Sequence, residues 1–132
     1  MVLPWANAKI VAGFPSPADD TGFKRIDLTQ ELITHPQATF LLEVDGKSMQ
    51  KFGLMDRSLV VVNRALEPVH QDIIVAVVDN LFTVKQLYSL DGVVKLCAGN
   101  DDFEDIVFKD GETLLVWGVV TVGITKFKRS RR

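Results

Sequence analysis

Cysteine is almost absent from this chain: Cys97 is the only one among 132 residues. That excludes an internal disulfide and fits a reducing compartment. Histidine is scarce too. His35 and His70 stand far apart with no cysteine cluster beside either, so no zinc site is expected, and no other metal or cofactor. No unbroken apolar run is long enough to span a bilayer, so no membrane association is expected. The start, Met1-Val2-Leu3-Pro4-Trp5-Ala6-Asn7-Ala8-Lys9, lacks the basic opening and hydrophobic stretch of a signal peptide, although Ala6-Asn7-Ala8 mimics a cleavage box. These absences together make a cytoplasmic location the expectation. The Gly-x-Ser-x-Gly elbow of the α/β-hydrolases is missing as well, as are their alternating helices and strands.

What is present suits one globular domain with a single core. Hydrophobic residues make up 47% and charged residues 24%, a balance that can bury a core and stay soluble. Charge is unevenly spread. The formal net charge is −2, yet Lys126-Phe127-Lys128-Arg129-Ser130-Arg131-Arg132 carries five cations, so residues 1–125 sum to −7. An acidic body argues against broad electrostatic attraction to nucleic acid, and no direct sequence-specific DNA binding is expected. The basic tail is either a contact for phosphate or an acidic partner, or simply a solvated end.

Residues 1–25 read as a flexible arm. Two prolines flank Ser16, and Ala18-Asp19-Asp20-Thr21-Gly22 follows with little apolar periodicity. Residues 26–132 read as the folded domain. A short helix is predicted over 26–35, with Thr29 as its N-cap and Pro36 as its stop. Apolar and β-branched runs at 39–44, 59–63, 73–78, 81–88, 93–97, 105–108 and 113–125 predict seven strands. Asp79-Asn80 and Asp91-Gly92 suit two-residue hairpin turns, and Asp110-Gly111 a third bend. Consecutive hairpins make an antiparallel sheet, so a mostly β fold, folded over or barrel-like, is expected. The 113–125 run is apolar beyond what a half-exposed strand needs, which points to a subunit interface on its second face and to a homodimer.

Two residues carry possible chemistry. Ser48 follows the apolar strand at 39–44 through the bend Asp45-Gly46-Lys47, and Lys85 lies within Leu81-Phe82-Thr83-Val84-Lys85-Gln86-Leu87. A serine hydroxyl attacks only once a base takes its proton, and a lysine is a base only when desolvation holds it neutral. Strand alternation places Leu81, Thr83, Lys85 and Leu87 on one face, so the two leucines either flank a sheet-edge lysine or help bury a catalytic one. A serine after Gly-Lys is also common in turns that do no chemistry. A triad of Ser48 with His70 and Asp72 or Asp79 is the weaker arrangement, since His70 sits between Val69 and Gln71 where a loop precedes a strand.

The stretch Ala12-Gly13-Phe14-Pro15-Ser16-Pro17-Ala18 resembles the self-cleavage region of the UmuD and MucA proteins, the SOS-mutagenesis branch of the LexA-type Ser–Lys peptidase family. The resemblance continues through Arg25-Ile26-Asp27-Leu28, His35-Pro36-Gln37-Ala38-Thr39, Gly46-Lys47-Ser48-Met49, Phe82-Thr83-Val84-Lys85 and Trp117-Gly118-Val119-Val120. It departs from the family at three places. Ala12 replaces a frequent cysteine. Only 12 residues precede Gly13. Met55-Asp56-Arg57-Ser58-Leu59 stands where relatives usually carry a Gly-Asp pair.

The resemblance implies Ser48 as nucleophile, Lys85 as base, Ala12-Gly13 as the cleaved bond, and backbone N–H groups around Ser48 and Met49 as oxyanion donors. It further implies stimulation by a RecA–single-stranded-DNA filament and, after cleavage, a homodimer that joins a UmuC-like Y-family DNA polymerase. The 35 residues from Gly13 to Ser48 are ample chain to reach the site. Two other classes stay open: a non-catalytic dimeric interaction subunit, and a phage-repressor-type cleavage domain without its DNA-binding domain, which 12 residues could not hold.

Overall fold

The structure, a computed structural model, describes residues 1–6, 23–109 and 111–130. The bond between Ala12 and Gly13 lies outside the described residues. Two compact units emerge, residues 1–34 and 35–132.

In the first unit, strand β1 (Val2–Ala6) pairs antiparallel with β2 (Phe23–Asp27), and the Lys24 ammonium lies 4.7 Å from the centre of the Trp5 ring. β2 runs across the boundary expected at 25/26, and the unit continues to Thr34. The helix differs from expectation. Helix α1 spans only Leu28–Leu32, and Asp27 rather than Thr29 caps it, its carboxylate accepting from Thr29 N at 3.0 Å and Gln30 N at 3.3 Å. The reason is competition: Ile26 and Asp27 are drawn into the pairing with β1, and a carboxylate at that point outbids the threonine hydroxyl for the first free amides.

The second unit is one antiparallel sheet. Its strands are β3 (Thr39–Glu43), β4 (Leu59–Asn63), β5 (Ile73–Val78), β6 (Leu81–Leu90), β7 (Val93–Cys97), β8 (Ile106–Phe108) and β9 (Leu115–Ile124). The order across the sheet is β3-β4-β9-β5-β6-β7-β8. All seven fall where hydrophobic alternation predicts them. Both expected two-residue turns occur, with positive φ at Asp79 (50°) and Asn80 (63°) and at Asp91 (53°) and Gly92 (78°), the type I′ geometry that matches strand twist.

Both faces of the central strands are covered. Val44, Met49, Leu54, Val60, Val62 and Val75 form one buried cluster, with Trp117 and Val120 packed against it. Ile74, Ala76, Leu87, Leu96 and Val119 form another, backed by Val116. β5 alternates between the two clusters, and so does β9. The middle of β9 lies between β4 and β5 with core on either side, which accounts for the apolarity of Val116 to Val120, while Leu115 and Ile124 at its ends are exposed.

β9 also carries two bulges. Val61 faces Val122 while Val62 faces Val120, and Val75 faces Gly118 while Ala76 faces Val116, leaving Thr121 and Trp117 as extra residues. Bulges bend a strand and increase its twist. The sheet is rolled accordingly: Leu42 of β3 and Phe82 to Lys85 of β6 line one cleft although three strands separate them in the sheet. Ile74 and the strand it belongs to hold this roll. Ile74→Ala is expected to cost about 2–5 kcal/mol in urea unfolding, against little change for Leu41→Ala on the exposed edge.

Candidate active site

The site is built on the turn that leaves β3. Gly46 has φ of 107°, a conformation open to glycine and strained for any other residue, and its N–H donates to Asp56 Oδ1 at 2.7 Å. Ser48 follows, then Met49, buried in the first core cluster, and a single 3₁₀ turn over Gln50–Phe52. Met49 O accepts from Phe52 N at 3.0 Å and from Leu54 N at 3.2 Å. An apolar anchor directly after the serine thus pins the turn to the core.

Residues beyond β7 hold the same turn from the other side. Gly99 N donates to Ser48 O at 2.5 Å and Gly99 O accepts from Lys51 N at 2.6 Å. The approach is close enough that a Cβ on Gly99 would fall 2.6 Å from the Phe52 ring and 3.1 Å from the Met49 carbonyl carbon. Asn100 Nδ2 donates to Lys47 O at 3.1 Å and to Gln50 Oε1 at 3.3 Å. Lys51 pairs with Asp101 nearby. Turn-rich Ala98-Gly99-Asn100-Asp101-Asp102 is legible as a loop, but nothing in the sequence tells which segment it grips.

Lys85 enters from β6, where it sits opposite Ile74. Its Nζ lies 3.0 Å from Ser48 Oγ. The pair shares a cleft of about 350 Å³ whose walls include Leu42, Val44, Met49, Val75, Val84 and Phe103. Desolvation by these walls lowers the lysine pKa, and no carboxylate among the described residues forms an ion pair with it. The desolvating groups are not the flanking leucines that strand alternation suggests. Leu81 is 70% exposed beside the Asp79-Asn80 hairpin turn, and Leu87 is buried in the second cluster.

The histidine alternative is not assembled. His70 Nδ1 accepts from Ser89 N at 3.1 Å and its ring meets Tyr88 edge-on at 4.9 Å. Asp72 Oδ2 accepts from Val69 N at 2.9 Å, and Asp79 forms a hairpin turn. None of the three lines the Ser48 cleft. The Cys97 thiol is pushed up in pKa, by burial first and then by Asp105, and is a poor nucleophile at neutral pH.

The segment Met55-Asp56-Arg57-Ser58-Leu59 closes the turn from below. Arg57 N donates to Val44 O at 2.7 Å and Val44 N to Ser58 O at 2.8 Å. Arg57 has φ of 71°, and its guanidinium reaches Glu43 at 3.2 Å. Ser58 is fully buried, with its hydroxyl 2.7 Å from that of Thr125. The turn thus holds an arginine in the left-handed region that favours glycine.

These features coincide with a known class. The Peptidase S24-like family matches residues 4–121, and the chain belongs to that family of serine peptidases. Within it the chain is UmuD-like. It is 38% identical over 120 residues to protein MucA of Salmonella typhimurium, spanning 90% of this chain and 82% of MucA. Protein ImpA of Salmonella typhimurium is 47% identical over 86 residues, 65% of this chain and 59% of ImpA. The LexA repressor of Thiobacillus denitrificans is 31% identical over 122 residues, 92% of this chain and 60% of the repressor.

Two outcomes follow for stability. Arg57→Gly is expected to raise the thermal midpoint slightly, because relief of the left-handed backbone exceeds the loss of an exposed ion pair; differential scanning calorimetry checks this. Lys85→Met is expected to stabilise the fold near neutral pH. With its folded pKa below the ordinary lysine value, the ammonium holds fewer protons in the folded state, so the penalty is largest below the folded pKa and fades as pH rises past the unfolded one. Urea midpoints of both proteins should therefore converge toward about pH 10.4, the unperturbed lysine value.

Proposed function

We propose that this protein cleaves itself between Ala12 and Gly13, with Ser48 as nucleophile and Lys85 as general base. The observation that carries the reading is the 3.0 Å contact between Lys85 Nζ and Ser48 Oγ inside a partly apolar cleft whose desolvation lowers the lysine pKa. Neutral Lys85 takes the hydroxyl proton as Ser48 Oγ attacks the Ala12 carbonyl carbon. The N–H groups of Ser48 and Met49, which no acceptor among the described residues takes, receive the oxyanion. Lys85 returns its proton to the Gly13 nitrogen, that amine leaves, and water hydrolyses the ester at Ser48.

β3 is an edge strand of its sheet and leads directly to Ser48. Its outer main-chain edge suits an extended peptide, which would present small residues at the scissile bond. A tethered substrate makes the reaction effectively unimolecular, so a shallow cleft suffices. In the biological setting we place the protein in SOS mutagenesis: a RecA–single-stranded-DNA filament stimulates cleavage, and the product, residues 13–132, acts as a homodimer with a UmuC-like Y-family polymerase. Similarity to MucA and the family membership support this setting.

Mass spectrometry during alkaline incubation tests the chemistry. The expected product begins at Gly13, and Ser48→Ala or Lys85→Ala each slows its appearance by at least about a hundredfold with the fold intact. The rate should rise about tenfold per pH unit from neutrality and level off at the Lys85 pKa, below the ordinary lysine value. A plateau by about pH 7.5 would indicate an imidazole base instead, and continued cleavage by Ser48→Ala would remove Ser48 from the mechanism. Addition of a RecA–single-stranded-DNA filament should bring the reaction to neutral pH.

A further inference from the structure

The two peptide groups on either side of the Ser48 Cα are each held by a separate residue of one distant loop. The peptide joining Lys47 to Ser48 is held through Lys47 O by Asn100 Nδ2 at 3.1 Å. The peptide joining Ser48 to Met49 is held through Ser48 O by Gly99 N at 2.5 Å. Gln50 N also reaches Lys47 O, at 3.3 Å, but from within the same turn, so among the described residues only Asn100 ties that carbonyl to a distant part of the chain.

Asn100 is itself tightly specified. Its second Nδ2 proton goes to Gln50 Oε1 at 3.3 Å, and its Oδ1 accepts from Asp102 N at 3.0 Å. With acceptors on one side and a donor on the other, the amide has a single favourable orientation. The described peptide bonds are trans, so fixing the two carbonyls directs the N–H groups of Ser48 and Met49 the opposite way. Those are the N–H groups without an acceptor among the described residues.

From this we propose that Asn100 is a positioning residue for the reaction: with Gly99 it sets the peptide planes around Ser48, and so aims both the hydroxyl and the oxyanion donors. The claim rests on the assignment of Ser48 as nucleophile. Asn100 neither lines the cleft nor bonds Lys85, so its action is on the nucleophile turn and not on the base.

The test uses the full chain with Asn100→Asp and Asn100→Ala. Asn100→Asp is nearly isosteric and keeps the acceptor for Asp102 N, but sets a carboxylate oxygen against Lys47 O and Gln50 Oε1. Self-cleavage by either variant should fall about ten- to a hundredfold, the scale of a small misplacement of reacting groups. Labelling of Ser48 by a fluorophosphonate, which bypasses the arm, should fall in parallel, while the midpoint of the pH–rate profile stays in place. In ¹⁵N–¹H spectra the Ser48 and Met49 amides should move while those of β5 and β6 do not.

Cleavage and labelling within twofold of the parent would overturn the proposal. So would a shifted pH midpoint, which puts the effect on Lys85, or spectral changes spread through β5 and β6 with a lowered thermal midpoint, which make Asn100 merely structural. Ser48→Ala run alongside separates the two levels. If it still cleaves, the nucleophile assignment fails; if it is inactive while Asn100→Asp behaves as the parent, only the positioning role fails.

Discussion

Burial of β5 on both faces holds the rest of the fold in place, because a strand that alternates between two clusters cannot flatten without exposing one of them. Ile73 and Val75 pack toward Met49 and Val60, while Ile74 and Ala76 pack toward Leu87 and Leu96. With β9 doing the same beside it and bending at two bulges, the sheet curls until the end of β3 and the middle of β6 face one another. Every later feature uses that approach. Ser48, on the turn after β3, and Lys85, on β6, are 37 residues apart in sequence, and β3 and β6 share no ladder, yet their polar atoms are 3.0 Å apart.

The electrostatics of the pair are correspondingly simple. A lysine beside a carboxylate would be held as an ammonium, and a fully exposed one would stay charged at neutral pH. Lys85 has neither fate: it is half-buried, lies against Val84, Val75 and Leu42, and its lowered pKa has desolvation as its cause. Glu43 and Asp45 also line the cleft, but no carboxylate among the described residues pairs with Lys85; Glu43 is engaged by Arg57 and Asp56 by Gly46 N. Partial burial also means partial lowering, which in the proposed reaction leaves neutral-pH activity dependent on something that further dries or closes the cleft.

Three separate supports hold the Ser48 turn: Met49 in the core, the Arg57-Ser58 backbone paired with Val44, and the loop at Gly99-Asn100. Only the first is an apolar contact. The others are main-chain or amide hydrogen bonds between loops, whose donors and acceptors every sequence contains and which therefore leave little trace in residue choice. Arg57 illustrates the point. It holds a left-handed backbone, a conformation that favours glycine, at a position where the side chain gives no sign of it.

Seven strands and two tight hairpin turns are legible in the chain because alternation and turn chemistry are local properties, whereas Ser48 and Lys85 stand out only through the family resemblance and their 3.0 Å approach belongs to the tertiary structure. Helix α1 is shorter than the sequence pattern predicts because Ile26 and Asp27 have a competing partner, β1, whose Pro4-containing run gives no strand signal of its own. β9 was legible as apolar but not as central: hydrophobicity records that both faces are covered, not whether the cover comes from the same chain or another. Leu42 and Val44, rather than Leu81 and Leu87, wall the Lys85 cleft for the same reason, since alternation along one strand says nothing of the roll that brings them in. Residue type and spacing decide which groups exist and what each strand buries; how the sheet closes on itself decides which of them meet, because that is set by packing between residues that no local pattern connects.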